Sequence, residues 1–499
     1  MESSPPSSNP PHAASGEAPA PPPPARTKKG WIGFILRWTI AIAGAFYIIR
    51  NISLHDTVLI AMPGSGRPVP ARLVDPASDG AARFLIRDPS GATRTVSRAD
   101  LFTKSEYDRV VIADPAAPGG TQKVDVLGLK VGPSPAEQTW PLVVVPPRTV
   151  VEKYFGDVDG PVQLVDPARV VGPYEVTVPY PLVDAGLINV VRRADPALLW
   201  AAVLIVPLNF LITSYRWHLL LRGLGINVGA ARAFHINMVG AFWNTVMPGT
   251  TGGDLFRAYF AAKHTTHRTR AVVSVIVDRI IGLLALVILG GSMAAYQTAV
   301  APDLSDPAAR KCMQVAVGAV VILSGTVLGS LVLFNPALRK WTGMDFALRR
   351  LPMQGTVGRL VESLELYRRQ PALVLGALAM SIPVHVIVVV SAMLACMAFG
   401  FRLPPWYYFV IVPVIGLAGA VPVSPQGAGV MEFFAILLTR RQGWTVSQAF
   451  ILTMSMRLVQ VFWNLLAGVF VLRGGYHAPP ATEMTLAAAT DPPPVAPPA

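Results

Sequence analysis

The sequence predicts a polytopic α-helical membrane protein with two broken, re-entrant helical segments in pseudo-repeated halves. It also predicts a small extracytoplasmic β domain inserted after the first transmembrane helix. Three observations lead there. Of the 499 residues, 52% are hydrophobic and only 14% charged, whereas soluble domains carry about 25% charged residues. Apolar runs near membrane-crossing length recur along most of the chain. One stretch, 51–195, has the opposite character: it is rich in turns and nearly balanced in charge.

The first element is a Pro, Ala and Ser-rich tail, residues 1–30, which has too little apolar surface to offset its ordering entropy. The stretch 474–499 reads the same way. Arg26, Lys28 and Lys29 then precede the apolar run 31–50. That run suits an uncleaved anchor helix, and its basic flank places the N-terminus in the cytoplasm.

Residues 50–196 hold 16 Lys/Arg and 17 Asp/Glu, so the rest of the chain carries 26 basic against 12 acidic residues of the 42 and 29 in total. The net charge of +13 therefore lies in tails and short loops, the pattern of cytoplasmic loops, and needs no nucleic-acid partner. Within 51–195, short runs such as Arg83–Arg87, Thr93–Val96 and Leu142–Val145 alternate with turn signals such as Asp88-Pro89-Ser90-Gly91. Such a pattern predicts a small barrel or sandwich. It contains no metal-ligand spacing and no nucleophile motif, so an accessory role, offering a surface to an envelope partner, is the expectation. Both cysteines, Cys312 and Cys396, lie in apolar runs and imply no disulfide framework.

The domain 196–473 contains apolar segments near 197–221, 233–248, 271–297, 312–334, 371–400, 405–423, 428–439 and 447–472. Two of them, 233–248 and 428–439, are too short to cross. Arg216, Arg222 and Arg232 flank the first short segment on one side and Lys263, Arg268 and Arg270 on the other, so it should enter and leave on the cytoplasmic face. The loop 335–370 carries seven basic residues, among them Arg339 and Lys340, against three acids. It is expected inside, against anionic lipid headgroups.

Two constellations interrupt these runs. The first is Asn244 to Arg257, with Pro248, Gly249, Gly252, Gly253 and Asp254. Pro removes a donor and clustered Gly frees the backbone, so the helix must break. A broken backbone at membrane depth requires protein or a water-filled cavity to satisfy it. Asp254 and Arg257 share a face of any helix starting after Gly253, and Asp254 is also placed to cap it. The second constellation, Pro422 to Glu432 with Pro425, Gly427 and Gly429, repeats this logic. Paired Gly/Pro interruptions in corresponding halves point to a transporter's central site. Asp278, Arg279, Arg457 and Asn464 add polar groups inside apolar runs, where an unpaired ion costs several kcal/mol. The substrate-binding candidates are therefore Asn244, Pro248, Gly252, Gly253, Asp254, Arg257, Asp278, Arg279, Pro425, Gly427, Gly429, Glu432 and Arg457.

Asn244–Arg257 followed by Asp278-Arg279-Ile280-Ile281-Gly282 resembles the flippase-like membrane family named for the transmembrane region of lysylphosphatidylglycerol synthases. Pro422–Glu432, Arg457 and Tyr215-Arg216-Trp217 extend the resemblance over roughly 197–473. Gln426 stands where the family commonly has Gly, and 51–195 replaces a usually short loop. The aminoacyl-transferase domain of the synthases is missing after Arg473. The resemblance implies translocation of a membrane lipid or lipid-linked substrate across a bacterial-type inner membrane, without a cofactor, rather than lipid aminoacylation. A membrane transferase acting on a lipid carrier, or a non-transporting envelope scaffold, would also suit the composition. No Walker A pattern occurs.

Overall fold

The computed structural model describes residues 53–61, 66–75, 80–105, 109–132, 141–147, 162–171, 181–246, 252–301, 307–344, 354–420, 427–439 and 442–474, together with Thr39. Apart from Thr39 and Gly474, the anchor 31–50 and both tails, with Pro248, Pro425 and the pair Arg440-Arg441, lie outside the described residues.

The N-terminal part is an antiparallel β domain. Its strands are β1 (Thr57–Ala61), β2 (Pro68–Leu73), β3 (Arg83–Arg87), β4 (Thr93–Ser97), β5 (Leu101–Thr103), β6 (Arg109–Ala113), β7 (Thr121–Lys130), β8 (Leu142–Val145) and β9 (Gln163–Val165). They pair in the order β4-β3-β2-β1-β5-β7-β8-β9, with β6 also on β7. The expected runs 83–87, 93–96 and 142–145 are strands. In β1 and β3 every second residue is buried, as a pleated strand with one wet face requires. Val58, Ile60, Phe84, Ile86, Leu101 and Leu142 form its core. Asp88 closes the β3–β4 hairpin, accepting from the Ser90 hydroxyl at 2.5 Å and from the Ala92 amide at 3.1 Å. These bonds, the Ser90 hydroxyl foremost, hold its carboxyl below the usual range.

This core belongs to the β domain alone, so residues 51–195 expressed separately should be soluble with a β-type circular dichroism spectrum. Phe84→Ala should then cost about 3–5 kcal/mol, the usual loss for a buried aromatic, and unfold much of the fragment. A helical spectrum of the wild-type fragment would refute its independence.

The chain then turns helical: α1 (Leu187–Arg192), α2 (Pro196–Leu204), α3 (Pro207–Gly223), α4 (Ala230–Val246), α5 (Gly252–Ala262), α6 (Arg268–Val300), α7 (Pro307–Phe334), α8 (Pro336–Trp341), α9 (Gln354–Arg368), α10 (Pro371–Ala398), α11 (Pro405–Ala420), α12 (Val430–Thr439), α13 (Val446–Leu466) and α14 (Gly468–Gly474). Among the described residues five helical stretches are long and apolar enough to cross a membrane: Pro196–Gly223, Arg268–Val300, Ala309–Phe334, Pro371–Ala398 and Val446–Leu472. Local chemistry sets their starts. Asp195 accepts from the Ala197 amide ahead of α2, with Pro196 at its first position, and Thr445 with Gln448 forms a capping box ahead of α13.

Two apolar cores fill the helical domain. One gathers α3, α4, α5 and the first half of α6 around Trp217, Val239, Phe256 and Val273. The other gathers α10, α11, α12 and α13 around Tyr407, Ile411, Ala435 and Leu452, and takes Ala294 from the far half of α6. Thus α6 is common to both. The basic loop does not lie free along its whole length. Tyr367 of α9 donates to the Leu220 carbonyl at 2.9 Å and Gln370 to that of Gly223 at 2.8 Å, which docks its end on α3.

Candidate functional site

The first constellation folds α5 back against α4. The approach is so close that a Cβ on Gly253 would lie 1.9 Å from the Gly240 carbonyl oxygen, and one on Gly240 would lie 2.6 Å from Arg257 Cγ. Only glycine permits it. Asn244 accepts from the Gly253 amide at 2.9 Å and so satisfies an orphan donor at the start of α5. The helix starts at Gly252, which makes Asn244 the acceptor there and leaves Asp254, inside the first turn, for ion pairing.

That packing delivers Arg257 into the protein. Its guanidinium lies 4.5 Å from the centre of the Trp217 ring. It bonds Asp278 at 2.9 Å and reaches Asp254 at 3.5 Å. Asp278 also accepts from Arg216, at 2.9 Å from Nε and 2.8 Å from Nη2, and Arg216 donates to Ser381 at 2.6 Å. Arg279 pairs with Asp254, and its side chain keeps 36% exposure. The result is a continuous chain of three guanidiniums and two carboxylates. Buried charges of this kind persist only when paired, and here each described member of the chain has an opposite charge beside it.

The second constellation is balanced. Gly427 and Gly429 have φ of +69° and +82°, the left-handed region that favours glycine. Glu432 accepts from the Gly429 amide at 2.7 Å, from the Thr453 hydroxyl at 3.2 Å and from Arg457 at 2.9 Å. The carboxylate thus holds the start of α12 and links it to α13.

A cavity of about 330 Å³ joins the two regions, with Asn244, Met431, Arg457, Gln460 and Asn464 in its wall. Asn244 belongs to the first constellation, and Met431 and Arg457 to the second. Asn464 donates to Thr245 at 2.9 Å, tying α13 to the end of α4. The described ion pairs, however, gather the charged candidates as two groups: Asp254, Arg257, Asp278 and Arg279 in one, Glu432 and Arg457 in the other. Among the described residues, Arg257 Nε and Arg457 Nε are buried without a hydrogen-bond partner.

Arg216 was missed as a site residue. In the sequence it reads as a positive charge orienting the end of a span, but here it is buried on Asp278, so the orientation rests on Arg222 and Arg232. Trp217, Ser381 and Thr453 were missed as well; each is an ordinary residue in an apolar run.

Residues 182–468 match the family described as the lysylphosphatidylglycerol synthase TM region. A UPF0104 membrane protein of Pyrococcus horikoshii is 31% identical over 104 residues, a match covering 20% of this chain and 31% of that protein's length. The family match spans more than half of the 499 residues and contains both broken constellations, the ionic chain and the cavity between them. By that match the chain belongs to the family of the transmembrane region of lysylphosphatidylglycerol synthases.

Proposed function

We propose that the helical domain moves a lipid or lipid-linked substrate with an anionic headgroup across the inner membrane. The observation that carries this reading is the cavity whose wall takes Asn244 from the first broken segment and Met431 and Arg457 from the second. The ionic chain of Arg216, Asp278, Arg257, Asp254 and Arg279 packs at the first of these segments. An anionic headgroup in the cavity would meet Arg457, whose guanidinium is a donor for its oxygens. In this reading α4–α5 and α12 are the two re-entrant pieces of related halves, meeting at a shared site. Exposed Trp341, next to Arg339 and Lys340, gives the basic loop an anchor at an anionic headgroup layer.

Reconstitution tests it. The purified full chain in vesicles doped with a headgroup-labelled phosphatidylglycerol should expose inner-leaflet label to a membrane-impermeant quencher, with no metal or activated donor added. A product that forms only with an added donor would instead identify a transferase, and an inert protein would favour the scaffold.

The reading also fixes sidedness. Reporter fusions at Gly120 and Gly355 should give opposite signals, with the β domain outside and the basic loop inside. The same signal at both positions would overturn the map.

A further inference from the structure

The polar side of the cavity between the broken segments is one stripe of α13. Arg457, Gln460 and Asn464 stand three and four residues apart and so share a helix face. Asn244 of α4 and Ser391 of α10 add the other polar side chains of the wall. Most of these groups are already engaged. Gln460 donates to Asn464 Oδ1 at 2.9 Å, Asn464 donates to Thr245, and Ser391 donates to the Ala202 carbonyl at 2.7 Å. The Asn244 oxygen receives the Gly253 amide. Among the described residues these bonds leave the Asn244 NH2 group as a donor and Gln460 Oε1 as an acceptor. Arg457 stands beside them as the cation of the wall.

The acids of the helical domain are placed elsewhere. There are eight between 196 and 473. Asp254 and Asp278 are held by Arg216, Arg257 and Arg279 in the ionic chain. Glu432 is 1% exposed and spends its oxygens on the Gly429 amide, Thr453 and Arg457. Glu362 and Glu365 belong to α9. Asp303 and Asp306 fall between α6 and α7, and Asp345 between α8 and α9. The stretches 247–251 and 421–426, which adjoin the two constellations in sequence, contain no acid. Among the described residues the wall thus offers one cation, neutral amides and a hydroxyl. An ammonium group there would lose its water and meet Arg457 instead of an anion, a costly juxtaposition of like charges. A phosphate would pair with Arg457, and a hydroxyl would donate to Gln460 and accept from Asn244.

We infer that the cavity takes a phosphate headgroup whose remainder is uncharged and hydroxyl-bearing, such as phosphoglycerol or a phosphosugar, and turns away headgroups that carry an amine. The inference rests on the transport reading above and narrows its substrate from anionic lipids in general to this class.

The test uses the full chain and lipids labelled on one acyl chain, so that the headgroups are native. In vesicles, phosphatidylglycerol should cross about tenfold faster, or more, than phosphatidylethanolamine or aminoacylated phosphatidylglycerol. In detergent, native mass spectrometry with an equal mixture should show phosphatidylglycerol retained in preference. Asn244→Asp still accepts from the Gly253 amide, so α5 keeps its start, but the wall gains an acid. Gln460→Glu places an acid on the α13 side. Both variants should slow phosphatidylglycerol, speed the amine-bearing lipids and bring the ratio to about one or below. A ratio unchanged in both folded variants would overturn the inference. Three further outcomes separate it from the reading beneath it. If the wild type moves all these lipids equally, transport stands and the headgroup class fails. If none crosses but phosphatidylglycerol is retained selectively and Asn244→Asp reverses the choice, the class stands and transport fails. Glycerol phosphate sealed inside the vesicles should stay there; its escape would assign the cavity to soluble phosphates and overturn the lipid.

Discussion

Asp278→Asn is expected to destabilise the protein by about 3–5 kcal/mol, the range for removing one partner of a buried ion pair. Asp278 takes bonds from both Arg216 and Arg257, and all three side chains are buried. Asparagine keeps the shape and one acceptor but leaves two guanidiniums face to face without their shared counter-charge. The detergent-solubilised variant should melt well below the wild type and elute with more aggregate. Asp254→Asn should cost less, because Asp278 still holds Arg257 at 2.9 Å and Arg216 at 2.8 Å. Adding Arg216→Met to Asp278→Asn removes one of the stranded cations and should recover part of the loss. Equal melting temperatures for Asp278→Asn and wild type would show that water already solvates these arginines.

Arg257→Ala and Glu432→Gln should each lower lipid movement in vesicles by about tenfold or more, the effect of some 1.4 kcal/mol at the headgroup, while both proteins still insert. Arg257 connects the two acids of the ionic chain, and its truncation breaks that connection. Glu432→Gln is a finer probe. Glutamine has one acceptor oxygen: turned to the Gly429 amide it retains the start of α12, while its NH2 group replaces the oxygen that received Thr453 and Arg457, so the pairing with Arg457 is lost. Asp254→Asn reads out charge alone, since Asn244 rather than Asp254 receives the Gly253 amide. Normal movement in Arg257→Ala and Glu432→Gln together would remove the basis for a shared site and favour an envelope scaffold.

What the sequence made visible was local. Pro and Gly clusters break helices wherever they fall, so both interruptions could be located without tertiary knowledge. The β strands stood out because alternation and turn residues act over four or five positions. The partners of the charged residues were invisible for the converse reason. Arg216 meets Asp278 across 62 positions and Ser381 across 165. Nothing near Arg216 distinguishes it from a topogenic arginine. The division of the charged candidates into two groups was equally hidden, because it depends on which helices touch.

The junction between the two domains has a consequence for the order of assembly. The Ser53 amide donates to the Ser447 hydroxyl at the start of α13, 394 residues later, at 3.3 Å. Asp56 accepts from the Gly186 amide at 2.8 Å, 130 residues on. Synthesis runs at about 5–20 residues per second, and N-terminal domains fold first. The β domain is thus complete while most of the helical domain has yet to be made, and its attachment to α13 waits for one of the last helices. The chain must pass through a stage in which a finished outer module is tethered to an incomplete membrane bundle. A nascent chain arrested before Val446 should carry a folded but undocked β domain, open to protease between 181 and 187 where the finished protein is buried or half-buried.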